Sequence, residues 1–497
     1  MKKVWEYIND ILFEFRPCFS RKAAFNWFII AVIGFMLRSD HLGVTSIIRE
    51  FGFNSDILYL GLLHFFHSNA WRLDVIMKKW IELIQCSGKI YRGFDNKPVL
   101  IGDGVTVSKE GKKMPSVKKM RQGSDNSGKP EFTWGHMFGS IGVLIGNTTK
   151  LFCLPLSQRI HDGNQTIREW THSEYVNDSH VTRLVREAFK IAIMMKEACY
   201  LVLDRYFLSI ESLKALKEEA SGVGISLITV ITRAKDTCVA YEKPIPTLPG
   251  SETVHPKRGR KSKQPVKKGK RVKLGELFET AAGQFTTAKL MMYGTLKEVR
   301  YLSVDLLWGK DLYQELRFVL VVADGVQNIF VSTSLLLSPE KIIALYTCRF
   351  KIEVLFKAFK NVIIGFGYHF WNRLTPVLDR RDPAKAADEK LRELGMSLPM
   401  AKDSIINTYN ATEGFVMFTC IATGIIQLVA LIFTDEINAS PIRWLRTYTN
   451  IVPSEESTIA TLRVDFWQVY DLYPLLGIMR VIRQKVHSKT PDTQAVA

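Results

Sequence analysis

Residues 344–360, ALYTCRFKIEVLFKAFK, constrain this chain more than any other stretch. Tyr346, Arg349, Glu353 and Lys360 are spaced there as Y-x2-R-x3-E-x6-K. At about 100° per residue the four fall within an arc of roughly 60° on one side of a single helix. Leu345, Cys348, Ile352, Leu355 and Phe359 make the opposite, apolar stripe. Such a helix packs one face into a core and presents from the other a carboxylate flanked by an arginine, a lysine and a phenol. A plain amphipathic helix with a solvated polar face satisfies the same pattern, so the stripe takes its meaning from partners elsewhere in the chain.

Those partners are two aspartates that close apolar runs. Residues 98–102 (PVLIG) read as a buried strand with Asp103 at its tip, and 199–203 (CYLVL) as another that ends in Asp204. Between them, 134–145 and 151–156 read as strands joined by a turn at Gly146-Asn147, and 172–196 has helical periodicity. A helix over 210–220, a fifth strand over 225–231 and a long helix from about Ser338 follow. Three strands, helix, strand, helix, strand and a late long helix is the element order of a ribonuclease H-like α/β fold, a mixed sheet flanked by helices. The first and fourth strands of such a sheet are neighbours, so Asp103 and Asp204 meet and Glu353 packs beside them. Three carboxylates without histidine or cysteine suit Mg2+, with Mn2+ as a substitute. Two such ions can activate an attacking oxygen and stabilise a leaving oxygen in phosphoryl displacement.

Charge points to the same partner. The 497 residues carry a formal net charge of +18, which on a folded chain favours a polyanion, with nucleic acid ahead of a membrane surface. A tract over 257–273, KRGRKSKQPVKKGKRVK, contains no acidic residue and reads as a DNA-tracking loop or a targeting signal. The seven cysteines are dispersed without a C-x-x-C pair, which reads as reduced thiols in an intracellular protein and gives no zinc site. Residues 415–433 are uncharged and long enough to span a bilayer. Thr419, Thr423 and Gln427 dilute them, so they read as a buried core helix and no membrane partner is expected.

Texture divides the chain into four parts. Residues 1–96 read as a helical DNA-binding domain, with 45–51, Gly52 and a helix from Asp56 capped by Asn54 or Ser55 giving a helix-turn-helix outline that ordinary helical bundles share. Residues 97–233 and 334–372 form the catalytic core. Residues 234–333 form an insert of basic loop and strands (285–293, 299–307, 316–323, 329–333), and 373–497 a C-terminal helical region. The near P-loop at 123–129 is a decoy, because Pro130 replaces the hydroxyl residue that would hold magnesium. His136, on a predicted strand, reads as structural, with a site-facing role as the alternative.

The Y-x2-R-x3-E-x6-K signature, with GDGVTVSK around Asp103 and YLVLDRYF around Asp204, resembles the DDE-class insertion-sequence transposases, and within them the subgroup with a β-rich insert before the glutamate. The resemblance spans roughly residues 40–435. It implies a metal-binding and catalytic triad of Asp103, Asp204 and Glu353, with Tyr346, Arg349 and Lys360 gripping transposon-end DNA and Arg205 completing an Asp-Arg pair. It implies an enzyme that cleaves double-stranded transposon ends and joins their 3′ ends to target DNA, working as a homodimer in a bacterial-type cytoplasm at the nucleoid. A silent transposase-derived DNA-binding protein is the alternative. Trp308, in the insert, has two readings, a stacking platform for a flipped base or a core side chain. Lys109, Lys112 and Lys113 likewise read as phosphate contacts or as solvated loop lysines.

Overall fold

The computed structural model describes residues 1–40, 43–53, 56–121, 131–171, 178–244, 268–377, 384–439, 442 and 452–487. The Asn54/Ser55 cap, the stretch 123–129, the start of the predicted helix at 172–177, most of the basic tract and the tail from Lys489 lie outside the described residues.

Helices α1 (Lys2–Glu14), α2 (Lys22–Leu37), α3 (Gly43–Glu50), α4 (Asp56–Phe66) and α5 (Leu73–Cys86) open the chain. Strands β1 (Val99–Ser108), β2 (Lys118–Arg121), β3 (Phe132–Gly146) and β4 (Leu151–Asp162) follow, then α6 (Gln165–Thr171) and α7 (His180–Met195). Next come β5 (Cys199–Val202), α8 (Ile210–Val223), β6 (Ile228–Ala234), β7 (Val239–Tyr241), β8 (Arg271–Lys273) and the short α9 (Leu277–Thr280). A run of strands, β9 (Thr286–Met292), β10 (Thr295–Trp308), β11 (Gln314–Ala323) and β12 (Val326–Ser332), leads to α10 (Pro339–Thr347) and α11 (Phe350–Asn361). Helices α12 (Ala384–Ser397), α13 (Pro399–Ile432), α14 (Thr434–Asn438), α15 (Glu455–Leu472) and α16 (Gly477–His487) complete the described chain.

The protein is mixed α/β, with a twelve-stranded sheet ordered β2-β3-β1-β5-β6-β12-β11-β10-β7-β8, β4 on β3 and β9 on β10. The chain divides into two compact units: Met1–Tyr91, Asp103–Leu184 and Lys351–Ala497 make the first, Arg92–Gly102 and Val185–Phe350 the second. These limits differ from the texture boundaries. The N-terminal helices share a unit with the β3–β4 hairpin and the C-terminal helices, because their apolar faces are covered there. Trp5 donates its indole N–H to Asp465 on α15 (2.8 Å), and Trp80 on α5 donates to the Pro155 carbonyl on β4 (3.0 Å).

In the first unit α13 is the central helix, packed by β4, α2, α5, α12 and α15. It is the one helix among the described residues long and apolar enough to cross a membrane, and 89% of its most apolar window is buried inside the protein. Several of its buried polar side chains bond within the protein. Thr419 and Thr423 donate to the carbonyls of Phe415 and Thr419, and the Gln427 amide donates to the Cys153 carbonyl and to Glu455. Glycine in a helix interior costs about 1 kcal/mol against alanine. Here it makes room for indoles: a Cβ on Gly414 would lie 2.2 Å from Trp71, and one on Gly424 would lie 2.3 Å from Trp80.

His136 on β3 is structural, as its sequence context implied. It is fully buried between the Tyr368 hydroxyl (2.7 Å from Nδ1) and the Pro115 carbonyl (2.8 Å from Nε2). A carbonyl only accepts, so Nε2 carries the proton and Nδ1 accepts from the phenol. Burial, reinforced by the Lys109 charge, pulls this histidine down to about 4, and burial does the same to His180 on α7. Both are therefore neutral in the fold, while the unfolded chain takes up their protons near pH 6.5. Stability is complete above that pH and falls as the pH drops toward 4, by about 2 kcal/mol per histidine between pH 7.5 and 5. Urea unfolding across that range checks it, and the slope should roughly halve in His136→Gln.

In the second unit, residues 99–101 of β1 run parallel to β5, with Ile101 facing Val202, and β5 runs parallel to β6. The strands of the insert continue the same sheet. Its last strand, β12, pairs antiparallel with β6, and β11 and β10 extend the sheet from there. Leu306, Leu316, Phe318, Leu320 and Ile329 form the apolar layer that these strands share.

Candidate active site

The signature stretch is two helices rather than one. Ser338 caps α10, its side chain accepting from the Lys341 N–H, with Pro339 in the first turn. The helix then tightens: Cys348 N–H bonds the Leu345 carbonyl and Arg349 N–H the Tyr346 carbonyl, both three residues back. α11 restarts at Phe350. The single helix expected for the four signature residues is thereby divided: Tyr346 lies on α10, Glu353 and Lys360 on α11, and Arg349 between them. The apolar stripe survives the break, since Leu345, Cys348, Ile352, Leu355 and Phe359 are all buried.

Tyr346 falls on the buried side, only 6% exposed, with its ring stacked on Phe330 of β12 at 4.5 Å between centroids. Its hydroxyl lies 3.5 Å from Asp204 Oδ1, and Arg349 Nε lies 3.9 Å from the same oxygen. Burial, helped by the Asp204 charge, pushes the Tyr346 phenol well above its usual range, so it stays protonated and donates. Asp204 follows β5 and opens a short 3-10 turn, Arg205–Phe207. Its carbonyl accepts from the Thr232 hydroxyl at the end of β6 (2.8 Å). Arg233, next along β6, bonds Asn328 on β12 (2.9 Å) and adds positive charge near Tyr346. One carboxylate is thus held from the backbone by Thr232 and faced by a phenol and a guanidinium. Thr232, Arg233 and Phe330 were missed in the sequence. The available signal was their position at the ends of the apolar runs of β6 and β12.

Asp103, expected at a strand tip, lies inside β1, which continues to Ser108. It stands two residues beyond Ile101, where the described parallel register with β5 ends. It is half-buried, and its carboxylate accepts from the Gly104 N–H (2.8 Å). Glu353 is exposed in the first turn of α11, where the helix dipole favours a negative charge, and Lys360 is exposed in the last, where it favours a positive one. Arg205 is exposed beside Asp204.

The lysines after the first strand separate. Lys109 is 8% exposed; its ammonium donates to the carbonyls of Phe366 (2.7 Å) and Tyr368 (2.8 Å) and lies 3.8 Å over the Tyr368 ring. Burial lowers it to about 8. The charge that was read as a phosphate contact or a solvated loop lysine instead ties the end of β1 to the segment after α11. Lys113 donates to the Arg373 carbonyl (2.8 Å), and Lys112 is exposed. Trp308 ends β10, partly buried and packed against the insert's apolar layer.

Among the described residues, no three His, Cys, Asp or Glu side chains are grouped closely enough to hold a metal ion. The donor set of Asp103, Asp204 and Glu353 fits a hard divalent cation in kind, being all carboxylate oxygen. No family model, no curated protein and no solved structure matches the chain.

Proposed function

We propose that this chain is a DDE-class DNA transposase with a ribonuclease H-like core, which binds transposon ends, cleaves them by metal-dependent phosphodiester hydrolysis and transfers the 3′ ends to target DNA. The observation that carries this reading is the meeting of Asp204 with Tyr346, 142 positions along the sequence, and with Arg349 just beyond it. The residues were singled out as two separate motifs, and chance gives no reason for them to share one carboxylate. The parallel β1–β5 register adds support, since Asp103 and Asp204 each stand two residues beyond the facing pair Ile101 and Val202.

In this reading Asp103, Asp204 and Glu353 hold two Mg2+ ions, with Mn2+ as a substitute. The ions supply activation of the attacking oxygen and stabilisation of the leaving one. Arg349, Lys360, Arg205 and Lys112 offer charge to the phosphates, and the net charge of +18 draws duplex DNA to the protein. Pairing two DNA ends calls for a homodimer, and the setting is the nucleoid of a bacterial-type cytoplasm. A silent DNA-binding relative is the second reading. The observation in its favour is the lack of a three-ligand group among the described residues.

The full chain, incubated with a duplex carrying the inverted repeats that flank its coding region, should nick that duplex in Mg2+ and leave it whole in EDTA. Retained binding with no nicking in either Mg2+ or Mn2+ would hand the protein to the silent reading.

A further inference from the structure

We propose that Tyr346 is a positioning residue for the metal-binding carboxylate of Asp204, and that the insert strand β12 holds it in place through Phe330. This rests on the transposase reading above and departs from it on one point, because there the signature tyrosine touches DNA. A side chain 6% exposed presents little surface to a phosphate backbone. Its ring is pinned by Phe330 and its one polar atom is directed at Asp204 Oδ1.

The surrounding pairings make the placement rigid. Phe330 faces Arg233 and Val331 faces Thr232 in the β6–β12 ladder. The same two strands therefore supply the ring under the phenol and the hydroxyl that bonds the Asp204 carbonyl. A carboxylate that ligates a cation through one oxygen gains from a donor on the other, which fixes its rotamer before the ion arrives. Tyr346 supplies such a donor, and Arg349, 3.9 Å from the same oxygen, balances the carboxylate's charge until the ion is bound. Removing a hydrogen-bonding partner of a metal ligand costs about 10- to 100-fold in metal affinity or activity.

The test compares wild type, Asp204→Asn and Tyr346→Phe as full chains, with melting temperatures confirming that each is folded. Mn2+ binding without DNA is followed by electron paramagnetic resonance, and end-DNA affinity is measured in EDTA. Tyr346→Phe should weaken Mn2+ binding about 10- to 100-fold and leave the DNA Kd unchanged, whereas a purely structural tyrosine would lower the melting temperature without moving the metal titration. Mn2+ binding lost in Asp204→Asn and intact in Tyr346→Phe, or a Tyr346→Phe defect confined to DNA affinity, would overturn the positioning role alone. Mn2+ binding indifferent to Asp204→Asn would overturn both this role and the metal-dependent reading beneath it.

Discussion

Asp204→Asn should lower Mg2+-dependent nicking of end-bearing DNA by about 1000-fold or more, with end binding preserved. The substitution keeps the shape of the side chain and removes its charge. A divalent ion is worth several kcal/mol of transition-state stabilisation in phosphoryl displacement, and each 1.36 kcal/mol is tenfold in rate. Affinity for duplex DNA comes mostly from basic side chains on phosphates, so it should survive. Asp103→Asn and Glu353→Gln should behave alike, and the double variants should be no worse than the singles, because ligands of one ion pair act as a unit. Single-turnover cleavage at saturating DNA measures the rate, and gel shifts in EDTA measure binding. A variant among the three that still cuts within tenfold of wild type would remove its acid from the proposed set.

Glu413→Ala should destabilise the protein by about 3–5 kcal/mol, the cost of breaking a buried charge pair from one side. Glu413 lies on α13, 1% exposed. Its carboxylate accepts from the Ile160 N–H on β4 (2.8 Å) and from the Tyr409 hydroxyl (3.4 Å), and faces Arg159 Nε at 3.3 Å. Removing it leaves Arg159 paired with the exposed Asp74 (3.1 Å) and strips α13 of a tie to the hairpin. Glu413→Gln keeps an acceptor for Ile160 and should lose less, about 1–3 kcal/mol. Urea unfolding followed by circular dichroism separates the two. Equal, sub-kcal losses in both variants would mean that α13 is held by packing alone.

Much of the fold was legible because its elements have strong local signals. The runs at 199–203, 316–323 and 329–333 are dense in apolar residues and bounded by turns, and each became a strand close to its expected limits. The long core helix announced itself by an uncharged run that Thr419, Thr423 and Gln427 dilute. The break at Cys348–Arg349 was not legible, since Y-T-C-R-F contains neither proline nor glycine. Lys109 was misread for a related reason. Sequence records a charge, whereas its carbonyl partners come from residues more than 250 positions away. Within the candidate site, Asp204, Tyr346 and Arg349 were named in advance. Thr232, Arg233 and Phe330 were not, because their roles come from strand pairing that no motif encodes.

The way β12 joins β6 has a consequence for anyone shortening this protein. Cutting out the segment from β7 to β12 would strip the partner from one whole side of β6 and leave a row of backbone amides and carbonyls facing solvent. A raw rim of that kind recruits other chains, so a trimmed version would be expected to clump before it could be assayed. Any miniaturisation should spare the strands and start from the turns between them.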